Sequence, residues 1–396
     1  MTIKKNIILL CDDFYPSNTS CSIQMQDLAK EFSKIYNVTI ISFCDKENQT
    51  SYKNFFQSKL LIIKKDNKNN YYLRFFSEIL YSIKIYFYIH KYNINLKKFS
   101  YVIWYSPSIF LFPIVYFLKK NFNIKNYLIL RDIFPDWLLD LKIIKKSFIF
   151  KFLKLFSELH LKTADIIGVQ SKSNLKYVSK YLYKSEILYN WLDIETEKPS
   201  SPLNRSLKNI LEKLKSKKII IYTGNLGIAQ SPEISIDLIN KFRDDPNYHF
   251  LFIGNGPNKF KLKNLVKFQK ILNVSFLDEI NNRYLEYFLN RSYMGLVTLD
   301  SRHKTHNIPG KFITYLKAAL PVVAIINKNN DLNQIILDNK IGLVNSKDTV
   351  SLYKEIKSLE FNKHEYSLLK KNSYQLFLSK FASKVAVNQI YSKLNS

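Results

Sequence analysis

Apolar residues fall along this chain in short runs, separated by stretches whose apolar positions recur at helical spacing. NIILLC at 6–11 reads as a strand, SIQMQDLAKEFSKI as an amphipathic helix and NVTIISF as a second strand, the rhythm of a parallel sheet. YVIWYS, NYLILRD and DIIGVQ continue the strands, with helical patterns at 107–120, 145–162 and 172–182 between them. This first domain is expected to close near Ile187 to Tyr189.

A polar, proline-containing segment, ETEKPSSPLNRSLKNILEKLKS at 195–216, then marks a linker running into a helix. A second sheet comes next in KKIIIYTG, YHFLFIGNG, NVSFLD, YMGLVTL and PVVAII, alternating with helices near 231–243, 258–270, 283–290, 310–318 and 331–338. From about 362 the chain is helical with no further strand, and it is expected to cross back onto the first domain. The predicted division is therefore 1–194, 195–361 and 362–396, of class α/β. Open α/β sheets bind ligands beyond the carboxyl ends of their strands, so the default site is a cleft between the domains.

The segments after the strands carry the candidate chemistry. CDDFYPSNTSCS after the first strand has no glycine, so the dinucleotide fingerprint is missing where a nicotinamide enzyme needs it. In YTGNLGIAQSPE, Gly224 and Gly227 either let the backbone approach a ligand or serve the turn alone. Gly254 and Gly256 in FIGNGPNKFKL repeat that choice. The strongest stretch is NIPGKFITYLKAALPVVA, where Pro309, Gly310 and Lys311 head a helix. Either first-turn amides, the helix dipole and the Lys311 ammonium converge there on a diphosphate, or the stretch is a plain loop with a surface lysine. Asp331 opens another helix and either caps it or reaches a sugar hydroxyl. In the first domain Arg131 and Asp132 end a strand: they contact an anion and an acceptor hydroxyl, or they form an internal ion pair. His160 lies in a mostly apolar helix and reads as a packed histidine, and His303 and His306 lack the carboxylates or cysteines of a metal site.

Composition narrows the partners. Sixty basic residues stand against 32 acidic ones, giving a net charge of +28 that calls for an anionic partner: a membrane surface, a phosphorylated substrate or a nucleic acid. Abundant Asn, Ile, Tyr and Phe accompany the lysines, as in a chain from an AT-rich coding sequence. A basic nucleic-acid-binding protein is the rival class, but no zinc finger, RNA-recognition signature or basic recognition helix accompanies the charge. The segments 78–93 and 147–158 interleave lysines with bulky apolar residues, a pattern suited to an anionic bilayer surface and shared by helices packed on a core. The longest apolar runs fall short of the ~18 residues that span a bilayer. Cys11, Cys21 and Cys44 show no paired spacing, and the N-terminus reads as a strand, so a cytoplasmic, non-secreted chain is expected.

NLGIAQ, FIGNGP and NIPGKFITYLKAALPVVA, in that order, resemble the donor-binding half of the retaining glycosyltransferases of family 4. CDDFYPSNTS, LRDIFPDW, ADIIGVQSKSN and ILYNWLD extend the resemblance over nearly the whole chain, most closely to bacterial O-antigen and capsule enzymes of the N-acetyl-L-fucosamine transferase type. The resemblance implies a GT-B fold of two Rossmann-like domains facing each other across a cleft, with the acceptor held by the first. It implies a nucleoside diphosphate-sugar donor, with uridine as the nucleoside, and neither cofactor nor metal. The acceptor it implies is a saccharide on undecaprenyl diphosphate at the inner face of the cell membrane, with no nucleic-acid partner. Many members carry two glutamates with seven residues between them, which map onto His306 and Thr314, and an arginine and a lysine that map onto Asn225 and Gln230. All four are replaced here, leaving Lys311 as the local cation, with Arg131 nearest to the family's first-domain histidine. A front-face transfer of this kind needs no protein nucleophile.

Overall fold

Continuous Val, Ile, Leu and aromatic runs form strands covered on both faces, which is why these runs do not alternate with polar residues. The computed structural model of the protein describes residues 4–17, 19–44, 49–65, 77–106, 108–140, 145–195, 202–300, 302, 308–327, 329–344 and 348–396. It divides into two units, Met1–Asp193 joined by Ala382–Ser396, and Ile194–Phe381.

The first unit holds β1 (Asn6–Leu10), β2 (Asn37–Cys44), β3 (Ser51–Phe55), β4 (Ser58–Lys64), β5 (Phe99–Tyr105), β6 (Lys125–Leu130), β7 (Ile166–Val169) and β8 (Ser185–Ile187). They lie in the order β3-β4-β2-β1-β5-β6-β7-β8, parallel throughout except where β3 meets β4. Its helices are α1 (Ser20–Ser33), α2 (Tyr81–Lys91), α3 (Phe112–Phe122), α4 (Asp136–Asp140) and α5 (Phe148–Thr163). Alternate side chains of β1 separate two cores: Ile8 and Leu10 join Ile85, Ile89, Ile114 and Leu118, while Ile7 and Leu9 join Met25, Leu28 and Phe32. α1 begins where Thr19 accepts a hydrogen bond from the Ser22 amide at 3.2 Å, and α5 where Ser147 accepts from that of Phe150.

The second unit runs α6 (Arg205–Lys213), β9 (Lys218–Thr223), α7 (Ile236–Lys241), β10 (Tyr248–Ile253), α8 (Lys259–Phe268), β11 (Val274–Leu277), α9 (Asn282–Arg291) and β12 (Ser292–Thr298). It continues through α10 (Gly310–Lys317), β13 (Val322–Ile325), α11 (Asp331–Asp338), β14 (Gly342–Val344), α12 (Thr349–Phe361) and α13 (Lys363–Leu376). The sheet is wholly parallel, in the order β11-β10-β9-β12-β13-β14. Tyr222, Phe242, Phe250, Leu352 and Ile356 pack in the core on one face.

Two features differ from the sequence reading, and a third refines it. The hairpin β3–β4 is additional; β3 is a half-covered edge strand whose turn carries Phe56 at φ 48° instead of a glycine. Residues 172–184, read as helical, form a 3-10 helix broken at Val178 and Tyr181. The chain returns to the first unit at Ala382, not near 362, because α13 buries Leu369, Ser373 and Leu376 within the second unit. There Ala382 pairs with Leu192, and α14 (Ser383–Asn395) lays Val387, Ile390 and Leu394 into the core that α1 covers. No helix among the described residues is long and apolar enough to cross a membrane.

Candidate functional site

In the second sheet β9 lies between β10 and β12, so the chain turns from one side of β9 to the other, and ligands of open α/β sheets gather at such a switch point. The segments leaving β9 and β10 touch backbone to backbone. The Gly224 amide donates to the Ile253 carbonyl at 2.8 Å, that of Leu226 to Asn255 at 2.8 Å and that of Asn258 to Leu226 at 2.9 Å. Gly254 makes this approach possible: at φ 146°, a Cβ there would stand 2.0 Å from the Gly224 carbonyl oxygen. Gly224 itself, at φ 86°, faces open space, with nothing within 4 Å of an added Cβ. Gly256 lies against Asn225 and Leu226, and Gly227 is flanked by the side chains of Asn225 and Gln230, whose amides meet at 3.5 Å. The same loop is tied to the end of β12, where the Asp300 amide donates to Ala229 at 2.9 Å and the Thr298 hydroxyl to Gln230 at 2.6 Å.

α10 is fixed over these loops by Tyr315. Its hydroxyl accepts from the Thr223 amide at 3.0 Å and donates to the Leu296 carbonyl at 3.2 Å. Gly295 leaves space for the ring, since a Cβ there would lie 2.3 Å from it. The helix thus presents its N-terminus, with Pro309, which has no polar side-chain atom, in the cap position.

Lys311 is the unusual group. Its Nζ is buried 3.4 Å from the centroid of the Tyr222 ring and has no hydrogen-bond partner among the described residues. The ring is itself held by the Tyr222 hydroxyl, which donates to the Asn225 carbonyl at 2.7 Å. Burial pushes the Lys311 pKa well below its ordinary value. An ammonium matched only by a ring face lacks a counter-charge, and an anion reaching the first turn of α10 would supply one.

Thr314 donates its hydroxyl to the Gly310 carbonyl at 3.2 Å, so it is engaged along its own helix. His306 and His303 lie outside the described residues. The cap of α11 is Asn330, which accepts from the Leu332 amide at 2.9 Å; Asp331, expected as a possible cap, is instead the first helical residue, where the dipole favours a carboxylate. One cation escaped the sequence reading. Arg302 lies just past β12 and forms a forked pair with the buried Asp300, with Nη2 to Oδ2 at 2.6 Å and Nε to Oδ1 at 2.9 Å. The signal was its place just beyond a strand end in LDSRH. No group of three or more metal-binding side chains occurs among the described residues.

In the first unit Arg131, expected either to contact an anion or to pair internally with Asp132, turns inward: its buried guanidinium donates to the carbonyls of Leu188 at 2.5 Å and Tyr189 at 3.3 Å, 4.7 Å from the Trp191 ring centroid. Its place is in the closing segment of the sheet. Asp132 lines a cavity of about 20 Å³ with Ser106, Phe134, Asp136, Lys154 and His160. His160 packs 4.4 Å from the Trp104 ring, and neither ring nitrogen has a hydrogen-bond partner among the described residues.

Burial lowers the His160 pKa to about 3, so the imidazole is neutral in the folded protein. Only the unfolded chain takes up its proton between that value and the ordinary one near 6.5, so this residue makes stability fall by about 1.4 kcal/mol per pH unit below about pH 6. Urea midpoints compared with His160→Leu across that range check this; equal pH slopes in the two proteins would refute it.

Residues 204–376 match the family model described as "Glycosyl transferases group 1". The chain is 27% identical over 177 residues to a protein named colanic acid biosynthesis glycosyl transferase WcaI of Escherichia coli K12, covering 43% of each chain. It is 24% identical over 246 residues to a glycosyltransferase WbjE of Pseudomonas aeruginosa, covering 60% of each. Both matches span less than two thirds of these relatives' length. Among solved structures, Anabaena HepE in complex with UDP superposes with a TM-score of 0.69 at 13% identity, covering 98% of this chain and 99% of that one. The trehalose-6-phosphate synthase OtsA superposes with 0.72 at 11%, covering 99% of each. These likenesses establish the fold as GT-B.

Proposed function

We propose that this chain of GT-B fold is a group 1 glycosyltransferase that moves a sugar with retention of anomeric configuration from UDP to a lipid-linked saccharide. The sugar in this reading is an N-acetylated 6-deoxyhexose such as N-acetyl-L-fucosamine. The setting is O-antigen or capsule assembly at the inner face of the cell membrane, and no metal takes part. The observation that carries the proposal is Lys311, a buried cation with no counter-charge among the described residues, at the start of α10. UDP bound to HepE and the colanic acid role in the name of WcaI support the donor and the setting.

In the proposed reaction the acceptor oxygen bonds to the anomeric carbon on the face from which the diphosphate departs. The bond from that carbon to the diphosphate oxygen breaks, and the acceptor proton passes to the departing phosphate. Lys311 and the amides of Gly310 and Lys311 stabilise the charge that grows there. Gly224 and Gly254 keep the backbone close to the diphosphate, while Asn225 and Gln230 offer neutral hydrogen bonds. Asp132 holds the acceptor hydroxyl.

Thermal denaturation with UDP, GDP, ADP, dTDP and CMP tests the donor. A ligand that binds only the folded state adds about 2.7 kcal/mol at a hundred times its Kd, so UDP raises the melting temperature and the others raise it less. A folded protein that responds to none of the five would sink the reading.

A further inference from the structure

Three helices of the first unit carry more apolar surface than their sheet covers. α2 buries Tyr81, Ile85 and Ile89, yet on its other side Ile83, Tyr86 and Phe87, spaced i, i+3 and i+4, are 65%, 43% and 58% exposed. α5 repeats this with Phe148 at 82%, Ile149 at 61% and Leu155 at 57%. The helices are neighbours: Tyr86 of α2 meets Phe117 of α3 edge-on at 5.2 Å, and Phe112 of α3 meets Phe156 of α5 at 5.9 Å. Tyr116 of α3 is exposed as well.

Charge on this face is predominantly positive. Segments 77–91, 112–122 and 145–163 hold nine lysines against Glu78 and Glu158; Lys119 pairs with Asp165 at 2.5 Å and Lys154 with Asp136 at 2.7 Å, and Glu158 already accepts hydrogen bonds from Lys180 and Tyr181. Lys145, Lys146 and Lys151 are exposed beside Phe148 and Ile149. Phosphate backbones would leave the apolar stripe unused, and the cores of protein interfaces are depleted in lysine. An anionic lipid surface uses both, because apolar side chains enter the acyl boundary while ammonium groups meet the headgroups.

We propose that α2, α3 and α5 form one docking face for an anionic bilayer, with Ile83, Phe87, Phe148 and Ile149 inserted and Lys145, Lys146 and Lys151 at headgroup level. This deepens the reading of a lipid-linked acceptor and rests on it.

The test is sedimentation with vesicles of phosphatidylcholine alone or mixed with phosphatidylglycerol. The protein is expected to bind the mixed vesicles and to be released by salt. The combined change Ile83→Ser, Phe87→Ser and Phe148→Ser lowers the partition coefficient about tenfold or more without lowering the melting temperature, and Lys145→Gln with Lys146→Gln and Lys151→Gln weakens the salt dependence. Wild-type binding by both variants overturns the proposal, as does a serine variant that turns an oligomer into monomers while its vesicle binding is unchanged. The UDP melting response of the same preparations separates the two readings. A UDP response without vesicle binding removes the docking face alone, whereas vesicle binding without any nucleotide response removes the sugar-transfer reading and leaves a lipid-binding face.

Discussion

Replacing Lys311 by methionine is expected to lower the transfer rate by about two to three orders of magnitude, while leaving the ligand-free protein at least as stable as before. The two effects have one cause. The ammonium is buried against the Tyr222 ring with no hydrogen-bond partner among the described residues, so the folded protein carries a desolvation cost that methionine removes at similar volume. When a diphosphate arrives, the same isolation becomes an advantage, because a charge in a water-poor setting interacts more strongly with charge developing on the leaving group. Burial also depresses the lysine's pKa and a bound dianion raises it again, so nucleotide affinity weakens as pH rises through the lysine's titration range. Turnover, melting temperature and the UDP-induced shift should be measured together on the purified variant. Turnover near that of the wild type would place the leaving group elsewhere, and a marked loss of ligand-free stability would make Lys311 a packing residue.

Gly254→Ala is expected to destabilise the protein by roughly 3–5 kcal/mol, a cost that lies at the severe end for single substitutions. Its Cβ would lie 2.0 Å from the Gly224 carbonyl oxygen, so the β9 and β10 segments would have to separate and lose the hydrogen bonds that join them. Gly224→Ala is the internal control. It shares the left-handed backbone, at φ 86°, but a methyl group there meets nothing within 4 Å, so only conformational strain of about 1–2 kcal/mol remains. Urea unfolding of the pair separates collision from strain. Equal losses would mean that the two loops are not packed as described.

Much of this architecture could be read from the sequence because the central strands are continuous apolar runs bounded by polar loops. Nearly every candidate residue sits where such a run ends or where a helix begins, and these boundaries mark Gly224, Gly254 and Lys311 without any partner being known. The misses share a physical reason. β3 has a half-exposed pattern with a lysine and an asparagine facing out, so its apolar signal is weak, and its turn lacks the glycine or asparagine pair that marks a hairpin. Arg131 does end a strand, but its direction is set by carbonyls of Leu188 and Tyr189, which lie far along the chain. Tyr222 looks like one more apolar strand residue, although it forms the surface on which Lys311 rests. Local patterns find the position of a side chain, while its partner depends on the whole fold.

The return of the chain at Ala382 sets the order in which the two units become complete during synthesis. The second unit, Ile194–Phe381, has its whole sequence as soon as Phe381 has left the ribosome. The first unit, although it is translated earlier, still lacks the helix that carries Val387, Ile390 and Leu394, and it leaves the apolar residues beneath that helix uncovered. The half that is made first is therefore the half that is finished last, and for the interval between them it depends on the emerging chain to close its own core.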